Sequence, residues 1–149
     1  MTLCDSNNQA VMEPVVPVLP EHTVRWIFDP DGKETPFAYT VGLAARPIRS
    51  YELATFGLPG RLAHAVITCA AEQLVRDLLD PTEGLELDEV LHGGYVVRLR
   101  RAQDTSKFTG ARELSGPHVP VWQILTPDKW GHFPDDRNFT DDPDAQPLV

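Results

Sequence analysis

Between Pro36 and Leu43 the chain reads PFAYTVGL, and side-chain size alternates there with the period of a strand. In an extended segment successive side chains point to opposite faces. Phe37, Tyr39, Val41 and Leu43 then share one face, and Ala38, Thr40 and Gly42 share the other. One flank is large and the other nearly bare. The bare flank admits a close neighbour: a second strand, a helix with small side chains, or a ligand. A suitable helix follows. In RLAHAVITCAAEQLVRDLLD (61–80), Ala63, Ile67, Ala70, Leu74 and Leu78 recur at helical spacing, and Leu62, Val66, Val75 and Leu79 widen the stripe. Arg61, His64, Thr68, Glu72 and Arg76 fall on the other side. The first half of this helix is rich in alanine, so its backbone suits close packing on the small flank of residues 38–42.

The remaining elements take their places around that pair. TVRWIF (23–28) reads as a first strand with Val24, Trp26 and Phe28 on one face, joined by the turn chemistry of DPDGKETP to the strand just described. YELATFG (51–57) is a third strand. Asp80-Pro81 stops the helix, and LELDEVLHGG holds one short helical turn ended by Gly93-Gly94. YVVRLRRA (95–102) is a strand with Tyr95, Val97 and Leu99 facing one way and Val96, Arg98 and Arg100 the other. DTSKFTGARELSG forms a short helix capped at Asp104 or Thr105. VPVWQILTP (119–127) is apolar on both faces, which places it centrally. Residues 1–22 form an extended arm, since Pro14, Pro17 and Pro20 recur with polyproline spacing; the arm crosses the domain surface or docks on a partner subunit. Residues 23–149 make a single domain with an acidic irregular segment at 128–149. The fold class is α+β: a mainly antiparallel curled sheet or small split barrel, one main helix at about residues 60–79, and one or two short helices.

Charge and cysteine usage narrow the partners. A net charge of −9 disfavours nucleic acid and anionic membrane surfaces, both polyanions. No apolar run approaches the ~20 residues of a membrane span, and the first residues lack a basic start and an apolar core, so a cytoplasmic protein is expected. Cys4 and Cys69 suggest no disulfide framework, and Cys69 reads as a small buried hydrophobe. Without a C-x-x-C pair, no structural zinc is expected.

Four segments resemble a known family. PFAYTVGL, ELATFGLPGRLAHAVI, VWQILTPDKWGHFP and the closing AQPLV are similar, in that order, to the bacterial domain-of-unknown-function family numbered 4262. The chain departs from that pattern twice. It has Tyr51-Glu52-Leu53 where the family tends to Pro-Glu-Leu, and Phe133-Pro134-Asp135-Asp136 where the family tends to Phe-Pro-Trp-Asp. The resemblance implies a bacterial protein and carries no assigned activity. The strand order is also similar to flavin-reductase-like split barrels, which hold the flavin phosphate with a Thr/Ser-rich strand end and a Pro-containing loop; TVGLAARPIRS (40–50) is a loose counterpart.

Several side chains are candidates for chemistry. Arg46, Arg49 and Ser50 form a basic cluster beside a strand end and suit a phosphate or carboxylate. Together with Tyr39, Thr40, His64 and Gln123 they are the candidate ligand-binding set, with flavin mononucleotide or an anion as ligand. Asp128, His132, Asp135 and Asp136, in PDKWGHFPDD, could bind a metal or act as an acid–base pair, but their spacing matches no metal motif; a structured turn opened by Pro127-Asp128 and anchored by Phe133 is the simpler reading. Arg98, Arg100 and Arg101 are expected to pair with the Asp-rich C-terminal segment. The reading leans to small-ligand binding. A non-catalytic interaction or accessory module, and a metal-assisted hydrolase, are the alternatives. A homodimer through the arm or the sheet is the partner expectation.

Overall fold

The computed structural model describes residues 22–45 and 50–149. Six strands form one sheet: β1 (Thr23–Ile27), β2 (Phe37–Val41), β3 (Glu52–Phe56), β4 (Glu86–Leu87), β5 (Val97–Arg101) and β6 (Val121–Leu125). Their spatial order is β1-β2-β3-β6-β5-β4. All neighbours are antiparallel except the central pair β3 and β6. The main helix α1 (Gly60–Arg76) and a short helix α2 (Thr109–Ser115) complete the α+β fold. Of the two sheet forms expected, the structure shows the open one and not the barrel. A small barrel has a single inner face, whereas here large side chains are buried on both faces of the central strands. Among the described residues no helix is long and apolar enough to cross a membrane.

The small flank of β2 meets α1. Ala38 packs in one core with Leu53, Ala63, Ile67, Ala70, Leu74, Leu99 and Ile124. Phe37 and Tyr39 face the opposite core with Phe56, Phe108, Ala111 and Val121. Phe37 and Phe56 are cross-strand partners and stack at 5.2 Å, and the Phe108 ring meets both from α2. Leu43 departs from the expected alternation. Gly42 has φ +104°, which ends the strand in a left-handed step. The chain enters a 3-10 turn (Leu43–Ala45), and Leu43 is delivered to the α1 core instead of the Phe37 face.

Four other expectations are corrected. The helix stripe ends before Leu78, which is 80% exposed. The Leu79 N–H returns to the Leu74 carbonyl and the Leu78 N–H to that of Val75, closing the helix in a Schellman motif with Leu78 at φ +55°. The turn expected in LELDEVLHGG is a two-residue strand instead, because Leu87 pairs with Val97 and both are buried in the α1 core. The N-cap of α2 is Phe108, four residues beyond Asp104 and three beyond Thr105; Asp104 instead closes a local turn by accepting the Ser106 N–H. Cys69 is buried in the α1 core as expected, but it is disulfide-bonded and not a free thiol. The arm expected over 1–22 falls outside the described residues, apart from His22.

At Gly57 the C-terminal segment passes close to the end of β3. The Gly57 φ is +85°, and a Cβ there would collide with the Ala145 carbonyl oxygen. Gly32 has a similar φ of +70° with open space around it. Gly57→Ala is therefore expected to destabilise the fold by roughly 2 kcal/mol or more, and Gly32→Ala by about 1 kcal/mol. Urea denaturation of the two variants separates backbone strain from collision; equal losses would refute the close approach.

Candidate functional site

The candidate ligand-binding residues are spread over both faces of the sheet. Tyr39 is buried on the α2 face, where its hydroxyl accepts the Gly110 N–H at 3.1 Å. Gln123 lies on the same face. Its amide donates to the Pro147 carbonyl at 2.7 Å and accepts the Val149 N–H at 3.2 Å, so it fastens the C-terminal segment along β6. His64 is exposed on α1, and Ser50 is exposed before β3. Arg46 and Arg49 lie outside the described residues. Thr40 is buried and belongs to a group centred on Glu52, a residue the sequence reading did not single out.

Glu52 is fully buried and accepts four hydrogen bonds from described residues. Its Oε1 takes the Thr40 hydroxyl at 2.6 Å and the Leu43 N–H at 3.0 Å. Its Oε2 takes the N–H groups of Gly42 and Ala44, each at 3.2 Å. Thr40 in turn accepts the Leu53 N–H at 2.9 Å, replacing the strand ladder where β2 and β3 part. The Glu52 carboxyl is pushed above its ordinary value by burial, against the Thr40 hydroxyl and the turn amides, which lower it. A sequence signal existed: an acid between Tyr51 and Leu53 inside an otherwise apolar strand needs partners.

Asp128, His132, Asp135 and Asp136 do come together in one loop. Asp128 is buried, and its Oδ1 accepts the N–H groups of Trp130 and His132, both at 2.9 Å. Its Oδ2 accepts the Thr140 N–H at 2.8 Å and the Thr140 hydroxyl at 2.9 Å. Burial acts to raise the Asp128 pKa, but the donors, led by the His132 and Thr140 N–H groups, hold it well below the usual carboxylate range. The His132 Nδ1 stands 3.8 Å from Asp128 Oδ2, beyond hydrogen-bond reach. Asp135 and Asp136 both meet the Arg98 guanidinium, at 2.8 and 3.0 Å, and that guanidinium also lies 4.2 Å above the Phe133 ring. Arg100 donates to the Val149 main-chain oxygen at 2.6 Å. Arg98 thus pairs with the Asp-rich segment as expected, and the loop is braced from within. Among the described residues no group of three or more His, Cys, Asp or Glu side chains is placed to hold a metal ion.

The surface feature that stands apart is the outer edge of β1. Trp26 is 38% exposed, Ile27 43% and Phe28 56%, three consecutive apolar residues. The Trp26 and Phe28 rings stack at 4.8 Å. Trp26 also donates from Nε1 to the Leu58 carbonyl at 3.2 Å and covers Gly60, so its ring is fixed in place. Beside Ile27 and Phe28 a cleft of about 390 Å³ opens, floored by Phe37 and rimmed by Asp29, Pro30 and Glu34. The other large exposed apolar residues, such as Leu78, Leu114 and Trp130, are scattered. The signal for this site was the uninterrupted Trp-Ile-Phe run before a turn.

Residues 20–140 match the family described as Domain of unknown function (DUF4262), and the chain belongs to that family. No curated protein and no solved structure matches the chain. The segments that carry the family likeness build the two carboxylate-centred loops. FAYTVGL supplies Thr40 and the turn that Glu52 holds; the PDKWGHFP stretch supplies Asp128 and the N–H groups it gathers.

Proposed function

We propose that this protein is a non-catalytic interaction module that accepts an extended segment of polypeptide along β1. The observation that carries this reading is the difference between the two edges of the sheet. Edge strands offer unpaired main-chain groups, and proteins blunt them with short length, charge or proline. The β4 edge is blunted: it is two residues long and carries Glu86, which pairs with Arg98. Among the described residues β1 has no outer neighbour; this edge is five residues long, has no proline, and ends in an exposed apolar run beside a cleft. Main-chain pairing would supply affinity there, and the cleft a pocket for a side chain of the incoming segment.

Peptides selected against the full chain from a display library test this reading. Selected sequences are expected to alternate apolar and polar residues and to lose binding to Ile27→Lys, which adds a charge to the edge. Peptides that bind the variant as well as the parent would overturn it, as would a selection yielding none from a chain that sediments as a monomer.

A further inference from the structure

We infer that the segment docking on β1 is the β1 strand of a second copy of this chain, paired antiparallel with Ile27 on the two-fold axis. This rests on the strand-addition reading above and names its partner. Two identical antiparallel edges related by a two-fold axis normal to the sheet must place some residue opposite its own copy, because directly opposed side chains share a face. The candidate centres in the contiguous exposed run of β1 are Arg25, Trp26 and Ile27. Centring on Arg25 sets two guanidinium groups against each other, which is unfavourable. Centring on Trp26 leaves Arg25 opposite Ile27, with no partner for its charge.

Centring on Ile27 places Arg25 opposite Asp29 and Trp26 opposite Phe28, each pair occurring twice. This register matches opposite charges and joins the two Trp26–Phe28 stacks into one aromatic group of four rings. The two charged residues are ready for it. Arg25 is exposed, its guanidinium lies against Gly110, and it makes no ion pair among the described residues. The Asp29 carboxylate is oriented by the N–H groups of Asp31, Lys33 and Glu34, at 3.0, 2.9 and 3.2 Å, and its Oδ1 accepts only one of them. The exposed Ile27 side chains would close over each other at the axis. Two six-stranded sheets would become one continuous sheet, and the unblunted edge would disappear.

Sedimentation of the full wild-type chain over rising concentration is the primary measurement, and it needs no variant. A species of twice the 16.6 kDa chain mass is expected. Ile27→Lys should be monomeric with an unchanged circular dichroism spectrum. Arg25→Glu, which faces Asp29 with a like charge, should weaken the dimer by roughly tenfold. Register is read by cysteine cross-linking with oxidised glutathione, the wild-type chain setting the background. Ile27→Cys should give a covalent dimer, and Arg25→Cys and Trp26→Cys should not. A monomer at every concentration would overturn this inference while leaving the display experiment to judge strand addition separately. A dimer that survives Ile27→Lys, or that cross-links through Arg25→Cys or Trp26→Cys and not through Ile27→Cys, would overturn it equally.

Discussion

Glu52→Ala is expected to destabilise the protein by about 3–5 kcal/mol, the cost of leaving buried donors without an acceptor. The variant strips the Thr40 hydroxyl and the N–H groups of Gly42, Leu43 and Ala44 of their common partner, and leaves a void at a fully buried position. Glu52→Gln keeps the volume but offers one acceptor oxygen in place of two, and its amide donors would face main-chain donors; about half the loss is expected. The pH dependence has a definite sign. Because burial raises the folded pKa above the ordinary 4.5, the folded state keeps a proton that the unfolded chain has released. Stability contributed through this group therefore falls as pH rises from 4.5 through the raised folded value, and is level on either side. Urea denaturation of wild type and Glu52→Gln across pH 4 to 8 checks this, with the wild-type advantage shrinking upward through that window. An advantage that grows instead would show that the four hydrogen bonds outweigh desolvation.

Asp128→Ala is expected to lower the melting temperature by on the order of 10 °C. One carboxylate gathers donors from Trp130, His132 and Thr140, so its loss frees both ends of the loop at once. Hydrogen exchange localises the effect: the Trp130, His132 and Thr140 amides should lose protection while β6 keeps its own. Here the pH dependence has the opposite sign to that of Glu52. The folded pKa is held below the ordinary 3.8, so the stabilisation is complete above that value and is lost as pH falls below it. The difference between wild type and Asp128→Asn should stay constant through neutral pH and narrow under acid. A difference that persists undiminished to pH 2 would place the stabilisation in packing and not in the charge.

Both loops show why the candidate site was only partly legible in the sequence. Thr40 and Asp128 stand out in the sequence as polar residues with a task, and the structure gives each one. Neither task could be read from spacing, because the partners are main-chain N–H groups whose direction depends on how the turn closes. Glu52 was passed over for the same reason. Gln123 shows the converse: a buried amide must be satisfied, yet its partners, Pro147 and Val149, lie far along the chain and reach it only when the C-terminal segment folds back. Leu43 and Leu78 leave the expected faces because periodicity is blind to the residue at which it stops: Leu43 follows the left-handed step at Gly42, and Leu78 itself takes such a step.

What the chain settles on its own is local. Size alternation at 37–42, the helical stripe from Ala63 to Leu74 and the doubly apolar β6 follow from side-chain geometry within one element, and they determine which flank meets α1 and which strand is central. What only the tertiary structure decides is the relation between edges. Among the described residues, strand order leaves β1 outermost with Trp26, Ile27 and Phe28 exposed, while β4 at the far edge is short and charged. No local pattern carries that information, because an edge exists only by virtue of the neighbour a strand lacks.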